Sequence, residues 1–391
     1  MRTTTRRAAA TLAAIALLAA ACGGGGLDAD TPTADDATDD ATDDATDDAT
    51  DDATDDPSDA DDAAAGDQPA GDLVGAGASF VNPIFVDWIF EYEAEVNPNA
   101  SINYQSIGSG GGIEQFLLQA TDFGASERYL RDDSLEEARN DRGCEAIQFP
   151  IVFGSVTIAF NDESLDGLVL DGTTIAAIFQ REITNYNDPA IQELNPDFDL
   201  PDQDIIPVHR SDGSGTTSVF TTYLEQDDSV DGWELGSGTE VQWPAGTIGG
   251  QGNEGVAAAI QQNPGALGYL NQAYVLEQGF PQAQLLNADG NAVTATLEAT
   301  TAAADVADIP ENFQFDILNI GGDGFPIAGT AWVFVWECGY DDDTAALLKD
   351  FWTWAISDEG AAIAQELNYA PIGEGLRPRI QEAIDRINIE G

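Results

Sequence analysis

From Leu73 onward the apolar residues switch between a two-residue and a 3.6-residue period, and the switches fall at glycine turns. Leu73 and Val74 open a short strand that runs into Gly75-Ala76-Gly77-Ala78-Ser79-Phe80. Asn82 and Pro83 then supply an N-cap and a first-turn proline. Ile84, Phe85, Trp88, Ile89 and Tyr92 share one face of the helix that follows, and Asn97-Pro98 stops it. Ile102, Tyr104 and Ser106 alternate as a strand ending in Ile107-Gly108-Ser109-Gly110-Gly111-Gly112, where a second helix begins with Ile113, Phe116, Leu117 and Ala120 inward. Residues 121–127 read as another short strand and turn. Strand, glycine turn, helix, strand predicts an α/β fold with a parallel sheet. Ligands of such sheets sit beyond the carboxyl ends of the strands, where these turns lie.

A second region repeats the pattern. Residues 152–160 and 204–208 read as strands, with an amphipathic stretch over 173–179 between them. The second strand leads into His209-Arg210-Ser211-Asp212-Gly213-Ser214-Gly215-Thr216-Thr217, and Val219, Phe220, Tyr223 and Leu224 then mark a helix face. A glycine turn over 249–255 precedes a helix through Ala259, residues 265–270 form a buried strand, and 331–336 form a strongly apolar one. From Thr344 to about Ile389 the chain is helix-rich.

The chain before Leu73 has no such pattern. Residues 1–21 carry Arg2, Arg6 and Arg7 and then a short apolar run, which predicts a secretory signal. The small residues before Cys22 match a bacterial lipoprotein processing site, so Cys22 is expected to carry a lipid anchor; an ordinary signal peptide with an incidental cysteine is the alternative. Residues 22–71 are expected to form a disordered tether, with Ala-Thr-Asp-Asp five times in tandem from Ala37 to Asp56 and no apolar face. Weak, delocalised cation binding is the most that this acidic run implies.

The remaining residues suffice for two domains. Formal net charge is −58; setting aside the three arginines of the signal and the 18 aspartates between residues 28 and 67 leaves −43. Lys349 is the only lysine. This excludes nucleic acid as a partner and suits a high-salt medium, where screening suppresses self-repulsion. It also predicts that an anionic ligand arrives faster as ionic strength rises. Beyond Cys22 only Cys144 and Cys338 remain. In an exported chain they suggest one disulfide, with two buried thiols as the alternative. No metal-ligand spacing surrounds either.

Ser79, Ser109 and the pair Ser214 and Thr216 each sit where a glycine turn meets a predicted helix start. One such serine reads as a helix cap; three after three strands point to hydroxyls, N–H groups and dipole ends converging on a compact anion. Arg210 offers a planar fork of donors suited to a tetrahedral oxyanion, and Asp212 is placed to hold that fork. Glu127 repels an anion unless the ligand carries a proton to donate, which phosphate does near neutral pH and sulfate does not. A buried Glu127 therefore predicts phosphate, and a surface Glu127 returns sulfate as a candidate. A phosphatase using Ser214 as nucleophile is a further alternative, but its base would have to be His209, the sole histidine. A scaffold or sensor that kept the fold and lost binding is the third.

The runs 75–80, 107–111, 122–126 and 210–216 resemble the phosphate-binding proteins of Pst-type ABC importers, and the likeness continues in order through 249–254, 264–269 and 368–370. The resemblance implies a type II periplasmic-binding-protein-like fold: two α/β lobes of mixed sheets flanked by helices, joined by a hinge. Lobe I would comprise 72–152 and 328–391 and lobe II 153–327, with hinge crossings near 150–156 and 325–331. The implied ligand contacts are Ser79, the Phe80 backbone, Ser109, Glu127, Arg210, Ser214, Gly215 and Thr216, with Asp212 in support. Two positions depart from the family pattern: Ser79 stands where threonine is common, and Glu127 where aspartate is usual. No catalytic residue, metal or cofactor is implied. The expected partners are inorganic phosphate, the permease subunits of an ABC transporter and, through the lipid, a membrane. The protein is expected to be an extracytoplasmic monomer anchored to the cell membrane.

Overall fold

The computed structural model describes residues 68–389. The predicted signal, the lipidation site Cys22 and the Ala-Thr-Asp-Asp repeats lie outside the described residues.

The first strand, β1 (Gly71–Gly77), starts slightly before the expected end of the tether. The residues leading into it are already committed, since Gln68 Nε2 donates to the Val96 carbonyl and Asn97 Nδ2 to that of Pro69. Along the chain β2 (Ala100–Ser106), β3 (Phe123–Ser126) and β4 (Ala146–Phe160) follow. The second region holds β5 (Val169–Leu170), β6 (Ile206–Arg210), β7 (Ile248–Gly250), β8 (Ala266–Asn271), β9 (Gln284–Leu286), β10 (Ala292–Thr294) and β11 (Ile317–Leu318). The last strands are β12 (Ile327–Trp336) and β13 (Ala370–Pro371).

The main sheet runs β2-β1-β3-β12-β4-β8-β6-β7, and β10-β9-β5 form a small separate one. The sheet is mixed rather than parallel throughout. β1 pairs in parallel with β2 and β3, and β6 with β7 and β8, but β12 is antiparallel to both β3 and β4. All fifteen residues of β4 are buried, as expected of a strand covered on both faces. Its first part pairs with β12, ending at Ser155 opposite Ala328, and its second part, from Val156, pairs with β8. Cys144 and Cys338, just before β4 and just after β12, are joined as a disulfide.

Aromatic rings fill the larger core, with Trp352 against Phe85, Phe123 and Phe149. A smaller core packs Val208, Val256, Ile260 and Leu270 between the second set of strands and the helix Gly252–Gln262.

Local expectations shift in two places. Asn82 is not a cap: a 3₁₀ turn over Ser79–Val81 runs straight into the helix Asn82–Glu91, so its N-cap is Val81. The second helix, Ser109–Leu117, is shorter than expected, since Gln119 takes φ 57° and Ala120 lies exposed beyond the end.

Candidate functional site

β1, β2 and β3 each deliver a turn to the same end of the sheet. Gly77 leaves β1 at φ 149°, where any side chain would collide with the Ala125 carbonyl of β3. This close approach places Ser79, buried, at the start of its 3₁₀ turn. Gly108, at φ 84°, ends β2 and makes Ser109 the first residue of the next helix. A side chain on Gly108 would strike Asp212 and the Gly213 carbonyl, so the turn from the second region comes within contact here. The Gly110 N–H donates to the Gly213 carbonyl at 2.8 Å.

β6 extends two residues beyond its expected end, because Arg210 pairs with Gly250 of β7. Arg210 therefore stands at a strand terminus rather than in the turn, and is only 3% exposed. Its Nε and Nη2 donate to the two oxygens of Asp212 at 2.8 and 2.5 Å, and its N–H donates to Tyr269 Oη at 3.1 Å. Asp212 also accepts from the Gly252 N–H at 3.0 Å. The clamp leaves Nη1, which donates to Thr216 Oγ1 at 3.2 Å. Burial alone would lower the Arg210 pKa, but the Asp212 hydrogen bonds and charge outweigh it and raise it. Burial likewise pushes Asp212 up, and Arg210 pulls it below the ordinary carboxylate range.

Ser214 caps the helix Gly215–Gln226, its Oγ accepting from the Thr217 N–H at 3.0 Å. Gly215 has no room for a side chain: a Cβ would lie 2.5 Å from Ser109 Oγ and 2.6 Å from Glu127 Oε2.

Glu127 follows β3 and is 4% exposed. Ser109 Oγ donates to its Oε2 at 2.6 Å and Thr216 Oγ1 to its Oε1 at 2.5 Å, while its own N–H reaches Ser109 Oγ at 3.3 Å. Burial lifts its pKa above the usual range; the two hydroxyls and the Arg210 charge hold it back only in part. One chain of hydrogen bonds thus runs from Ser109 through Glu127 and Thr216 to Arg210 and Asp212.

Asn253, which the sequence reading left without a role, joins Ser79 to this chain. Its N–H and its Nδ2 both donate to Ser79 Oγ at 3.0 Å, Nδ2 also reaches Thr216 Oγ1 at 3.3 Å, and its Oδ1 accepts from the Asn271 N–H at 3.0 Å. A hydroxyl oxygen has two lone pairs and one proton. With both lone pairs of Ser79 taken, its O–H must act as a donor. The only hint in the sequence was the glycine turn around Asn253, which marks the place but not the partners.

Phe80 is held differently. Its carbonyl accepts from Tyr369 Oη at 2.5 Å, and its ring wedges against Gly154 of β4 and Gly329 of β12. Among the described residues His209 makes no hydrogen bond to Ser214: its Nδ1 lies 2.8 Å from the Arg210 carbonyl, and its ring stacks on Trp243 with centroids 5.0 Å apart. Burial lowers its pKa.

The structure therefore brings Ser79, Ser109, Glu127, Arg210, Ser214, Gly215 and Thr216 to one buried locus, with Phe80 beside it. The donors are fixed hydroxyls, a clamped guanidinium and helix starts, which suits a small anion.

Comparison with known proteins agrees with this geometry. The model of the PBP superfamily domain matches residues 62–359. A phosphate-binding protein PstS of Xylella fastidiosa (strain Temecula1) is 39% identical over 314 residues, covering 79% of this chain and 84% of that one. Its counterpart in Haemophilus influenzae is 36% identical over 308 residues, covering 78% and 89%. Among solved structures, a high affinity periplasmic phosphate-binding protein bound with phosphate superposes with a TM-score of 0.66 at 20% identity, covering 80% of this chain and 93% of that one. A phosphate binding protein from Stenotrophomonas maltophilia gives 0.62 at 19%, covering 80% and 94%. The fold is the two-lobed α/β fold of these periplasmic proteins, and the chain belongs to the PstS family of phosphate-binding proteins.

Proposed function

We propose that this protein captures inorganic phosphate outside the cytoplasm and hands it to the permease of an ABC importer, without chemistry on the ligand. The observation that carries the reading is the buried Glu127 carboxylate, set among donors that an anion would use. An ionised acceptor in such a place repels a fully deprotonated anion and accepts a hydrogen bond from one that keeps a proton. A site built to accept a proton rejects an analogue lacking it by about 10⁴–10⁵-fold. Phosphate is then the ligand and sulfate the rejected analogue.

Ser79, the Phe80 N–H, Arg210, Ser214 and Gly215 supply the donors in this reading, joined by Ser109 and Thr216 when the anion draws their protons from Glu127. Asp212 fixes the guanidinium, and Asn253 turns the Ser79 proton toward the ligand. Fixed donors offset the cost of stripping water from the anion. Capture occurs by closure of lobe II, residues 153–327, on a discontinuous lobe I, residues 72–152 and 328–391. The adjacent pairing of Ser155 with Ala328 supports a hinge where the two crossings run side by side. Lipidation at Cys22, with residues 22–71 as tether, keeps the receptor as a monomer on the outer face of the membrane. The phosphatase reading is weaker, because Ser214 Oγ serves the Thr217 N–H and the one histidine is stacked on Trp243.

Calorimetric titration with phosphate and sulfate tests the proposal. One-to-one phosphate binding that Arg210→Ala abolishes is expected. Heat from sulfate equal to that from phosphate would overturn it.

A further inference from the structure

In a chain of net charge −58, the placement of each cation is informative. Nine arginines lie among the described residues, and seven commit the guanidinium to a carboxylate, a main-chain carbonyl or an aromatic ring. Arg128 and Arg131 do neither: among the described residues no ion pair, side-chain hydrogen bond or ring contact involves either guanidinium. They are nevertheless neighbours. Burial, and then the Arg131 charge, hold the Arg128 pKa below its usual range. Asp316 and Asp133 attract Arg128, yet neither comes within ion-pair distance of it.

The pair lines two polar cavities, each of about 260 Å³. One adds Ser218, Thr222 and Ser237 to the arginines, with Asp316 as its one carboxylate; the other adds Gly110 and Thr239, with Asp133. Four of these walls, Arg128, Gly110, Thr239 and Ser218, are a step from the phosphate locus. Arg128 follows Glu127 and Gly110 follows Ser109. The Thr239 carbonyl accepts from the Ser214 N–H at 2.9 Å, and the Ser218 N–H donates to the Ser214 carbonyl at 3.1 Å. Two like charges kept together with no carboxylate in ion-pair contact, and only one carboxylate to two guanidiniums in each cavity, oppose folding unless an anion visits them.

We propose that Arg128 and Arg131 form a vestibule that takes up hydrated phosphate from solution at the rim of the cleft and passes it to the buried site. This rests on the reading of the protein as a phosphate receptor. The guanidinium forks match the oxyanion geometry, and the hydroxyls around them supply further donors. The vestibule answers the difficulty that the long-range field repels the ligand: a local positive patch raises the anion's concentration where the cleft opens. The equilibrium contacts of the bound ligand lie deeper, so the pair acts on arrival and not on residence.

Stopped-flow tryptophan fluorescence on the full chain, with Arg128→Gln, Arg131→Gln and the double variant, tests this, with Lys349→Gln as the control equal in charge change to each single variant and Lys349→Gln/Arg377→Gln as the control equal to the double. The double variant is expected to lose about tenfold in association rate at low ionic strength. Its dissociation rate should stay unchanged, and the deficit should vanish near 1 M salt, where the screening length falls to about 3 Å. Each control should do much less. An unchanged association rate, a deficit that persists at high salt, or an equal loss in the control of matching charge change refutes the vestibule. Absence of phosphate binding in the unaltered protein refutes the parent reading instead, so the two failures are distinct.

Discussion

Glu127→Gln is the most searching perturbation of the site, because it alters charge and proton acceptance while keeping size. The carboxylate accepts two hydroxyl protons at 2.6 and 2.5 Å in a locus with 4% exposure. Hydrogen bonds to charged groups contribute about 1.5–3 kcal/mol each. If the ligand's own proton uses one such acceptor position, replacing it by a neutral carboxamide oxygen costs phosphate about ten- to a hundredfold in affinity. Sulfate moves the other way. It no longer meets a like charge, and the carboxamide N–H₂ can donate to it, so the discrimination of about 10⁴–10⁵-fold should shrink by several decades. The pH profile adds a second readout. Burial raises the Glu127 pKa in the folded protein. Its ionisation therefore opposes folding: that contribution to stability is intact below the unfolded carboxylate pKa and is lost as pH rises through the raised folded value. Lowering the pH through the same window should weaken phosphate binding and relax the rejection of sulfate in the unaltered protein, and should do neither in Glu127→Gln. The assay is calorimetric titration with both anions at a series of pH values. Equal discrimination in the two proteins, or the same pH profile in both, would refute the assigned role of Glu127.

Four other outcomes follow from the geometry. Asn253→Ala frees the lone pairs of Ser79 and should weaken phosphate by about tenfold, the value of one to two ordinary hydrogen bonds, as titration would show. Gly215→Ala puts a methyl group 2.5 Å from Ser109 Oγ and should abolish tight binding while the circular dichroism spectrum is kept. Arg210→Ala leaves Asp212 half-buried without its partner, so denaturant unfolding should report a loss of about 3–5 kcal/mol besides the lost affinity. Replacing Cys144 and Cys338 by serine opens a link between residues 194 positions apart, and should lower the unfolding free energy by about 3–5 kcal/mol without changing phosphate affinity.

Much of this was legible in the sequence, for physical reasons that differ by element. The glycine turns after β1 and β2 announced themselves because only glycine tolerates the close approach of Gly77 to β3 and of Gly108 to Asp212. The helix Gly215–Gln226 was legible from its serine cap and apolar face. Sheet order was not: β12 inserts antiparallel between β3 and β4 across some 200 residues of chain, and a pairing of that kind leaves no local period. The helix Asp132–Arg142 went unread because only Ala138 on it is buried, so it carries no apolar stripe. The end of β6 was misjudged because Arg210 and His209 look like turn residues, while the pairing to β7 draws them into the strand. Asn253 was missed for a related reason: its partners Ser79 and Thr216 are 174 and 37 residues away, and only their meeting defines its task.

The claim on which the account turns is that turns from both lobes enclose one tetrahedral anion that still carries a proton. Titrating the unaltered protein with phosphate and with sulfate at neutral pH, in one buffer and at one ionic strength, tests it most directly. Tight one-to-one binding of phosphate, with sulfate weaker by at least several decades, is the predicted result. Comparable affinity for the two anions, or no response to phosphate, would contradict it.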